Sequence, residues 1–203
     1  MTRHRIAAAG LLFGLFVFFV PAAAEVTVGE KAPEFTGTDS KGIAHTLSGF
    51  QGKIVILEWL NHDCPFVVKH YKSGNMQELQ KMAAEKDIVW LSVISSAPGK
   101  QGHVTGEEAD ALTAEKNAAP AAVILDPEGT IGRLYDSKTT PHMFIIDPDG
   151  ILVYNGAIDS IRSANVDDIA KATCYIRKAL ADMEAGRPVE TGVTQPYGCT
   201  VKY

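Results

Sequence analysis

The chain has 203 residues, of which 46% are apolar and 21% charged, and its formal net charge is −5. These values fit one compact globular domain and argue against an intrinsically disordered chain. The sequence contains no long basic run, so nucleic-acid binding is not expected.

The first 24 residues have the layout of a secretory signal peptide. Arg3 and Arg5 give a basic start, residues 6–20 are uncharged and mostly apolar, and residues 22–24 are three alanines. We expect cleavage after Ala24. An uncleaved membrane anchor is the alternative, but the apolar run is short for a membrane span. The mature protein is therefore expected in the periplasm or otherwise exported, without stable membrane insertion.

A buried strand followed by a helix is predicted around the first cysteine. Residues 54–60 form an apolar, β-branched run with a single charged residue, which is typical of a strand covered on both faces. A polar loop at residues 61–63 follows. Proline is favoured at the first helical position, so a helix is expected to begin at Cys64-Pro65. It is expected to break near Ser73-Gly74 and then to continue.

The rest of the chain alternates between predicted strands and helices. We expect strands at residues 88–93, 123–125, 143–146 and 151–154, and helices at residues 105–117, 129–135 and 166–185. This order predicts an α/β domain with a central mixed sheet flanked by helices on both faces. We place that domain at residues 25–186, followed by a cysteine-containing tail at residues 187–203.

Cys64 is the residue with the clearest chemical potential. A thiol at a helix start meets unpaired backbone N–H groups and the positive end of the helix dipole, and both favour the reactive thiolate. His62 and Lys69 are close in sequence and are expected to lower the pKa of the thiol further. The alternative is a buried, inert cysteine. We favour a reactive cysteine, because a junction of a strand, a loop and a helix is an exposed edge of the fold and not part of its core.

The other two cysteines are Cys174 and Cys199. Cys199 lies in a tail that we expect to be flexible, so it can swing to a thiol oxidised elsewhere and act as a resolving cysteine. The alternative is a fixed disulfide between Cys174 and Cys199, since exported proteins often pair their exposed thiols. The spacing of the three cysteines in the sequence does not decide which of the three possible disulfides forms.

Two further functions are compatible with the same residues. His62, Cys64 and His142 form a soft, copper-type metal site if their loops meet. The chain could also be a non-catalytic binding module. The sequence contains neither a dinucleotide-binding fingerprint nor a phosphate-binding P-loop, and no bound cofactor is expected.

Three features together resemble the thioredoxin-like redoxins, the group that holds the peroxiredoxins (alkyl hydroperoxide reductase/thiol-specific antioxidant proteins) and the exported disulfide reductases. They are the stretch WLNHDCPFV at residues 59–67, the pair Thr140-Pro141, and the order of strands and helices. The resemblance covers about residues 28–185. The stretch from Cys64 to Gln77 and the ending YGCTVKY at residues 197–203 are similar to one bacterial subgroup. The chain departs from the thioredoxins in having no C-x-x-C, because Asn61 stands at the position of the first cysteine.

The resemblance implies a thioredoxin-like fold and a thiol-based oxidoreductase. Cys64 would attack a peroxide or a disulfide, and Cys199 would resolve the product. Thr140 and Pro141, the latter in the position of a cis-proline, would shape the groove beside Cys64, and Asn61 would orient the loop. An exported dithiol protein would supply reducing equivalents.

Overall fold

The computed structural model describes residues 26–203, and it contains nine strands and five α-helices within that range. The strands are β1 (Thr36–Asp39), β2 (Ala44–Thr46), β3 (Val55–Trp59), β4 (Val89–Ile94), β5 (Ala122–Leu125), β6 (Thr139–Thr140), β7 (His142–Ile146), β8 (Leu152–Gly156) and β9 (Cys199–Thr200). The helices are α1 (Pro65–Lys72), α2 (Asn75–Glu85), α3 (Gly106–Glu115), α4 (Thr130–Leu134) and α5 (Tyr175–Glu184). The predicted signal peptide and its cleavage site lie outside the described residues.

Seven strands form one mixed sheet in the order β2-β1-β5-β4-β3-β7-β8, and β6 and β9 form a separate two-stranded sheet. The central strands β3, β4 and β5 are parallel, whereas β7 runs antiparallel to β3. The predicted mixed sheet is thus confirmed. Over residues 26–203, no helix combines the length and apolarity that a membrane crossing requires.

Both faces of the sheet are buried, as the apolar run at residues 54–60 predicts. Ile56 belongs to an apolar cluster that includes residues of α1, α2 and α5, whereas Val55 and Leu57 belong to a second cluster that includes a residue of α4. Alternate residues of a strand point to opposite faces. Every residue of β3 is therefore buried, and the strand holds its carboxyl end, with the following loop, in a fixed position.

The predicted helix start at Cys64-Pro65 is confirmed. Cys64 is the N-cap residue of α1, and Pro65 occupies its first turn. The predicted break is also present, because α1 ends at Lys72 and α2 begins at Asn75. Gly74 between them has φ 78°, a left-handed conformation that glycine adopts without steric cost.

The prediction of one long helix over residues 166–185 is wrong. Residues 166–171 form a short 3₁₀ helix, and α5 begins only at Tyr175. Between them the chain is extended: the Thr173 backbone N–H donates to the Ser160 hydroxyl, and Cys174 pairs with Asp159 in an isolated β-bridge. The apolar spacing of residues 166–185 continues across this break, which is why the sequence pattern conceals it.

The expectation of a flexible tail is also wrong. Tyr197 and Val201 are buried, and β9 pairs with β6. The backbone N–H of Ala97 donates to the carbonyl of Lys202, and the Tyr203 hydroxyl donates to the carbonyl of Ser137. The last residues of the chain are therefore part of the folded structure, and they are fixed beside the loop that carries Pro141.

Candidate active site

Cys64 lies at the junction that the sequence predicted, but its side chain is fully buried. Its exposed fraction is 0%. The loop before it is held by Asn61, whose side-chain oxygen accepts from the Asp63 backbone N–H at 3.0 Å and whose amide donates to the Gln101 carbonyl at 3.3 Å. Asn61 thus orders the loop from which α1 begins.

The Thr140-Pro141 loop faces Cys64. The Thr140-Pro141 peptide bond is cis, as the resemblance implied. The Cys64 thiol donates a hydrogen bond to the Thr140 carbonyl oxygen, with 2.9 Å between sulfur and oxygen. Thr140, which is 76 positions from Cys64 in the sequence, therefore forms one wall of the site together with Pro141.

The docked tail brings Cys199 to the same place. Cys199 is paired with Thr140 across the antiparallel β6–β9 ladder. The preceding residue, Gly198, has φ 144°, and a Cβ at that position would collide with the Thr140 carbonyl oxygen. A glycine is required there because the two backbones approach so closely. The consequence is that Cys199 lies beside Cys64, whose sulfur contacts the carbonyl oxygen of the same Thr140, and the two thiols influence each other's pKa.

The two thiols have opposite pKa shifts. Burial of Cys64 raises its pKa, but the neighbouring Cys199 thiol and the backbone N–H groups of Cys199 and Val67 outweigh burial, so the pKa of Cys64 is lowered overall. Burial, together with the hydrogen bond to Cys64, raises the pKa of Cys199 to about 11. Cys64 is therefore the thiol that ionises first, while the Cys199 thiol beside it remains protonated.

We expect the ultraviolet absorbance of the thiolate near 240 nm to show this order directly. As the pH rises, Cys64 ionises below the ordinary thiol pKa, whereas burial raises the pKa of Cys174 and that of Cys199 is about 11. Subtracting the titration of Cys64→Ser from that of the unmodified protein isolates the Cys64 step. A Cys64 midpoint at or above that of Cys174 would contradict the hydrogen-bond arrangement.

His62 and Lys69 do not have the roles expected of them. Burial, followed by the charge of Lys116, lowers the pKa of His62 to about 4, so its ring is uncharged at neutral pH. The Lys69 ammonium is completely buried and forms an ion pair with Asp159 at 3.1 Å. Neither side chain is among the groups that chiefly lower the pKa of Cys64. Hydrogen-bond donors, and not nearby cations, stabilise the thiolate.

The Lys69–Asp159 pair instead fixes the tail. The Tyr197 hydroxyl donates to Asp159 and lies 3.5 Å from the Lys69 ammonium, and the Tyr197 ring packs edge-on against Phe66 of α1. A buried ion pair needs such further hydrogen bonds to offset its desolvation. Asp159 and Tyr197 were not among the residues that the sequence singled out for a role, although Tyr197 begins the ending that resembles the bacterial subgroup.

Replacing Gly198 by alanine is expected to separate β9 from β6. The new Cβ would collide with Thr140, and the positive φ costs a non-glycine residue about 1–3 kcal/mol. We expect a lower free energy of unfolding in urea and a raised Cys64 pKa, since the Cys199 donors would withdraw. Gly186→Ala is the matched control, because Gly186 also has a positive φ (66°) but no atom lies within 4 Å of its Cβ position. An unshifted Cys64 pKa in Gly198→Ala would disprove the role of the close approach.

The alternative disulfide between Cys174 and Cys199 does not match the structure. All three cysteines are free thiols. Cys174 is the N-cap residue of α5 and pairs with Asp159, whereas Cys199 pairs with Thr140, whose carbonyl oxygen contacts the Cys64 sulfur. The spatial arrangement therefore favours Cys64 as the partner of Cys199.

The metal-site alternative also finds little support. Both ring nitrogens of His142 are occupied, since Nδ1 accepts from the Lys138 backbone N–H at 3.2 Å and Nε2 lies 2.8 Å from the Asn155 side-chain oxygen. Among residues 26–203, no group of three or more His, Cys, Asp and Glu side chains is arranged to hold a metal ion.

Comparison with known proteins agrees with this geometry. The model of the AhpC/TSA family matches residues 28–155, which is more than half of the chain. The chain belongs to the AhpC/TSA family. A curated relative of this AhpC/TSA protein, the thiol-disulfide oxidoreductase ResA of Geobacillus kaustophilus, is 25% identical over 142 residues, which are 70% of this chain and 76% of the relative.

Solved structures show the same fold. An uncharacterized conserved protein from Geobacillus kaustophilus superposes with a TM-score of 0.73 at 23% identity, over 88% of this chain and 93% of that one. A putative thiol:disulfide interchange protein, DsbE, from Chlorobium tepidum superposes with a TM-score of 0.50 at 25% identity, over 64% of this chain and 85% of that one. The AhpC/TSA protein described here is thus a thiol-dependent oxidoreductase with a thioredoxin-like fold.

Proposed function

We propose that this protein catalyses thiol–disulfide exchange, with Cys64 as the attacking thiolate and Cys199 as the resolving thiol. The observation that carries the proposal is the placement of Cys199 beside Cys64 without a C-x-x-C motif: Cys199 pairs with Thr140 across β6 and β9, and the Thr140 carbonyl oxygen lies 2.9 Å from the Cys64 sulfur. One thiol has a lowered pKa and the other is protonated, as expected of a nucleophile and its resolving partner.

The oxidation of the pair takes two exchange steps. The Cys64 thiolate attacks one sulfur of a substrate disulfide, so a mixed disulfide forms and the other substrate sulfur leaves as a thiolate. Cys199, after losing its proton to that thiolate or to solvent, attacks the Cys64 sulfur. The products are the Cys64–Cys199 disulfide and the fully reduced substrate, and two electrons have passed to the substrate.

Access and leaving-group chemistry indicate how the pair is reduced again. Cys64 is fully buried, whereas Cys199 is partly exposed. An incoming thiolate therefore reaches the Cys199 sulfur more easily, and Cys64, with its lowered pKa, is the better leaving group. The reductant we propose is an exported dithiol protein, consistent with a signal peptide at residues 1–24 and a periplasmic location.

A peroxide is the second candidate substrate, and the AhpC/TSA match favours it. The Cys64 thiolate would attack the terminal oxygen of the peroxide, giving a sulfenic acid and an alcohol or water. Cys199 would then condense with the sulfenic acid, releasing water and forming the same disulfide. Cleavage of the O–O bond benefits from a positive group that stabilises the departing oxygen. The groups that chiefly act on Cys64 include no cation, which is why we place disulfide exchange first.

Disulfide mapping by mass spectrometry tests the proposal. The mature protein is treated with one equivalent of oxidised glutathione or of hydrogen peroxide, and the initial rates of the two reactions are compared. We expect a Cys64–Cys199 bond in both cases, with the disulfide reacting faster at equal concentration. Cys174→Ser is the matched control and is expected to form the same bond at the same rate.

Each alternative has its own result. Faster oxidation by peroxide than by glutathione disulfide would assign the protein as a peroxidase. A Cys174–Cys199 bond, with Cys64 left reduced, would contradict the roles of both cysteines.

A further inference from the structure

The tail is held by a tyrosine hydroxyl on each side of Cys199. Before Cys199, the Tyr197 hydroxyl donates to the Asp159 carboxylate. After Cys199, the Tyr203 hydroxyl donates to the Ser137 carbonyl oxygen at 3.0 Å. The β6–β9 ladder between the two tyrosines has only two residue pairs. The position of Cys199 therefore depends on contacts that its neighbours in the tail make.

The Asp159 carboxylate connects the tail to the helix that Cys64 begins. One carboxylate oxygen accepts from the Tyr197 hydroxyl and from the Ile161 backbone N–H. The other oxygen pairs with the Lys69 ammonium at 3.1 Å, and Lys69 belongs to α1. Tyr197 is thus linked through a single carboxylate to the helix whose first turn carries the attacking thiol.

This connection is buried. The side chain of Lys69 is 0% exposed and that of Asp159 is 5% exposed, and Tyr197 is 3% exposed. A hydrogen bond to an ionised carboxylate is stronger than one between neutral groups, and exclusion of water strengthens it further. The Tyr203 hydroxyl, in contrast, donates to a neutral carbonyl oxygen. Of the two tyrosine hydroxyls, that of Tyr197 is therefore expected to hold the tail more firmly.

We propose that Tyr197 is the positioning residue of the resolving cysteine, an inference that rests on the disulfide exchange proposed for Cys64 and Cys199. Its bond to Asp159 sets how strongly the Cys64–Cys199 disulfide is favoured over the two free thiols. A cysteine held beside its partner has a much higher effective concentration than one on a mobile segment. Only Gly198 separates Tyr197 from Cys199. Without the Tyr197 hydroxyl, the tail samples positions in which the two sulfurs do not meet.

Tyr197→Phe and Tyr203→Phe are the matched variants that test this role. Each removes one hydroxyl from the tail and keeps an aromatic ring. Each ring also lies near a cation, since the Lys69 ammonium is 5.7 Å from the Tyr197 ring centroid and the Arg133 guanidinium is 4.6 Å from that of Tyr203. The two variants therefore differ mainly in whether the lost hydroxyl was bonded to the buried carboxylate.

The measurement is the redox equilibrium of the mature protein with glutathione. The protein dithiol and one glutathione disulfide give the Cys64–Cys199 disulfide and two glutathione thiols. The fraction of this disulfide is determined by mass spectrometry after alkylation of the free thiols. We expect the equilibrium constant to fall about fivefold in Tyr197→Phe, the effect of one hydrogen bond, and to change less than twofold in Tyr203→Phe.

A kinetic measurement on the same variants gives an independent readout. The mixed disulfide of glutathione with Cys64 is expected to persist about fivefold longer in Tyr197→Phe than in Tyr203→Phe, because resolution needs Cys199 in place. A general loss of stability would lower the free energy of unfolding in urea without this difference.

Equal redox equilibria and equal mixed-disulfide lifetimes in the two variants would overturn the role of Tyr197 and leave the exchange reaction standing. Failure of the unmodified protein to form the Cys64–Cys199 disulfide in glutathione would instead overturn the exchange reaction, and the positioning role with it.

Discussion

Cys64→Ser is expected to lower the rate of disulfide reduction by about a thousandfold or more. The remaining thiol at the site does not substitute, because burial, the largest cause of the raised pKa of Cys199, persists in the variant and keeps that thiol protonated at pH 7. A serine hydroxyl is a far weaker nucleophile than a thiolate at this pH. The measurement is the initial rate of glutathione disulfide reduction, with a dithiol such as dithiothreitol as the terminal reductant.

Cys174→Ser is the matched control for that loss. Cys174 is largely buried, its pKa is raised by burial, and it is placed beside Asp159 and not beside the reacting pair. Its replacement is expected to leave the rate unchanged. If Cys64→Ser retained activity while Cys174→Ser lost it, the nucleophile would be Cys174, and the lowered pKa of Cys64 would have no catalytic meaning.

The position of Cys64 at a helix start could be predicted because it is determined by residues that are neighbours of Cys64 in the sequence. A continuous apolar strand, a short polar loop and a proline one residue later are sufficient to place a thiol at a helix start. Asn61 belongs to the same local unit, and its hydrogen bond to the Asp63 backbone spans only two residues. Sequence patterns report such features well, since each residue acts on its neighbours.

The environment that activates Cys64 could not be predicted in the same way. The sequence suggested the nearby cations His62 and Lys69, but nearness in sequence did not determine the contacts. β6 and β9 have two residues each, too few for any periodic pattern, so the pairing of Thr140 with Cys199 leaves no trace in the sequence. The docked tail follows from long-range contacts such as that of Tyr197 with Asp159, which are 38 residues apart.

The error over residues 166–185 has a related origin. Periodicity detects a face of apolar residues but does not detect an extended break that happens to preserve the spacing. Here the β-bridge between Cys174 and Asp159 interrupts the predicted helix. Asp159 lies in a loop outside residues 166–185, so the interruption comes from a contact that the pattern of these residues does not contain. The break also moves Cys174 from a helix interior to the N-cap of α5.

Cys199→Ala is expected to have two separate effects on the site. The Cys64 pKa rises, because the largest of the hydrogen bonds that lower it comes from the Cys199 thiol. Turnover with glutathione disulfide falls on the order of 100-fold, because the mixed disulfide at Cys64 loses an intramolecular attacking thiol with a high effective concentration. The expected species in mass spectrometry is glutathione bound to Cys64.

Cys199→Ser separates the two effects. A serine hydroxyl still donates to the Cys64 sulfur, so the pKa of Cys64 is expected to remain lowered, but serine cannot form a disulfide. The serine variant should therefore accumulate the mixed disulfide faster than the alanine variant at pH 7, since more of its Cys64 is thiolate. Unimpaired turnover in both variants would show that Cys199 neither resolves the mixed disulfide nor activates the Cys64 thiol. The external dithiol would then attack the mixed disulfide at Cys64 directly.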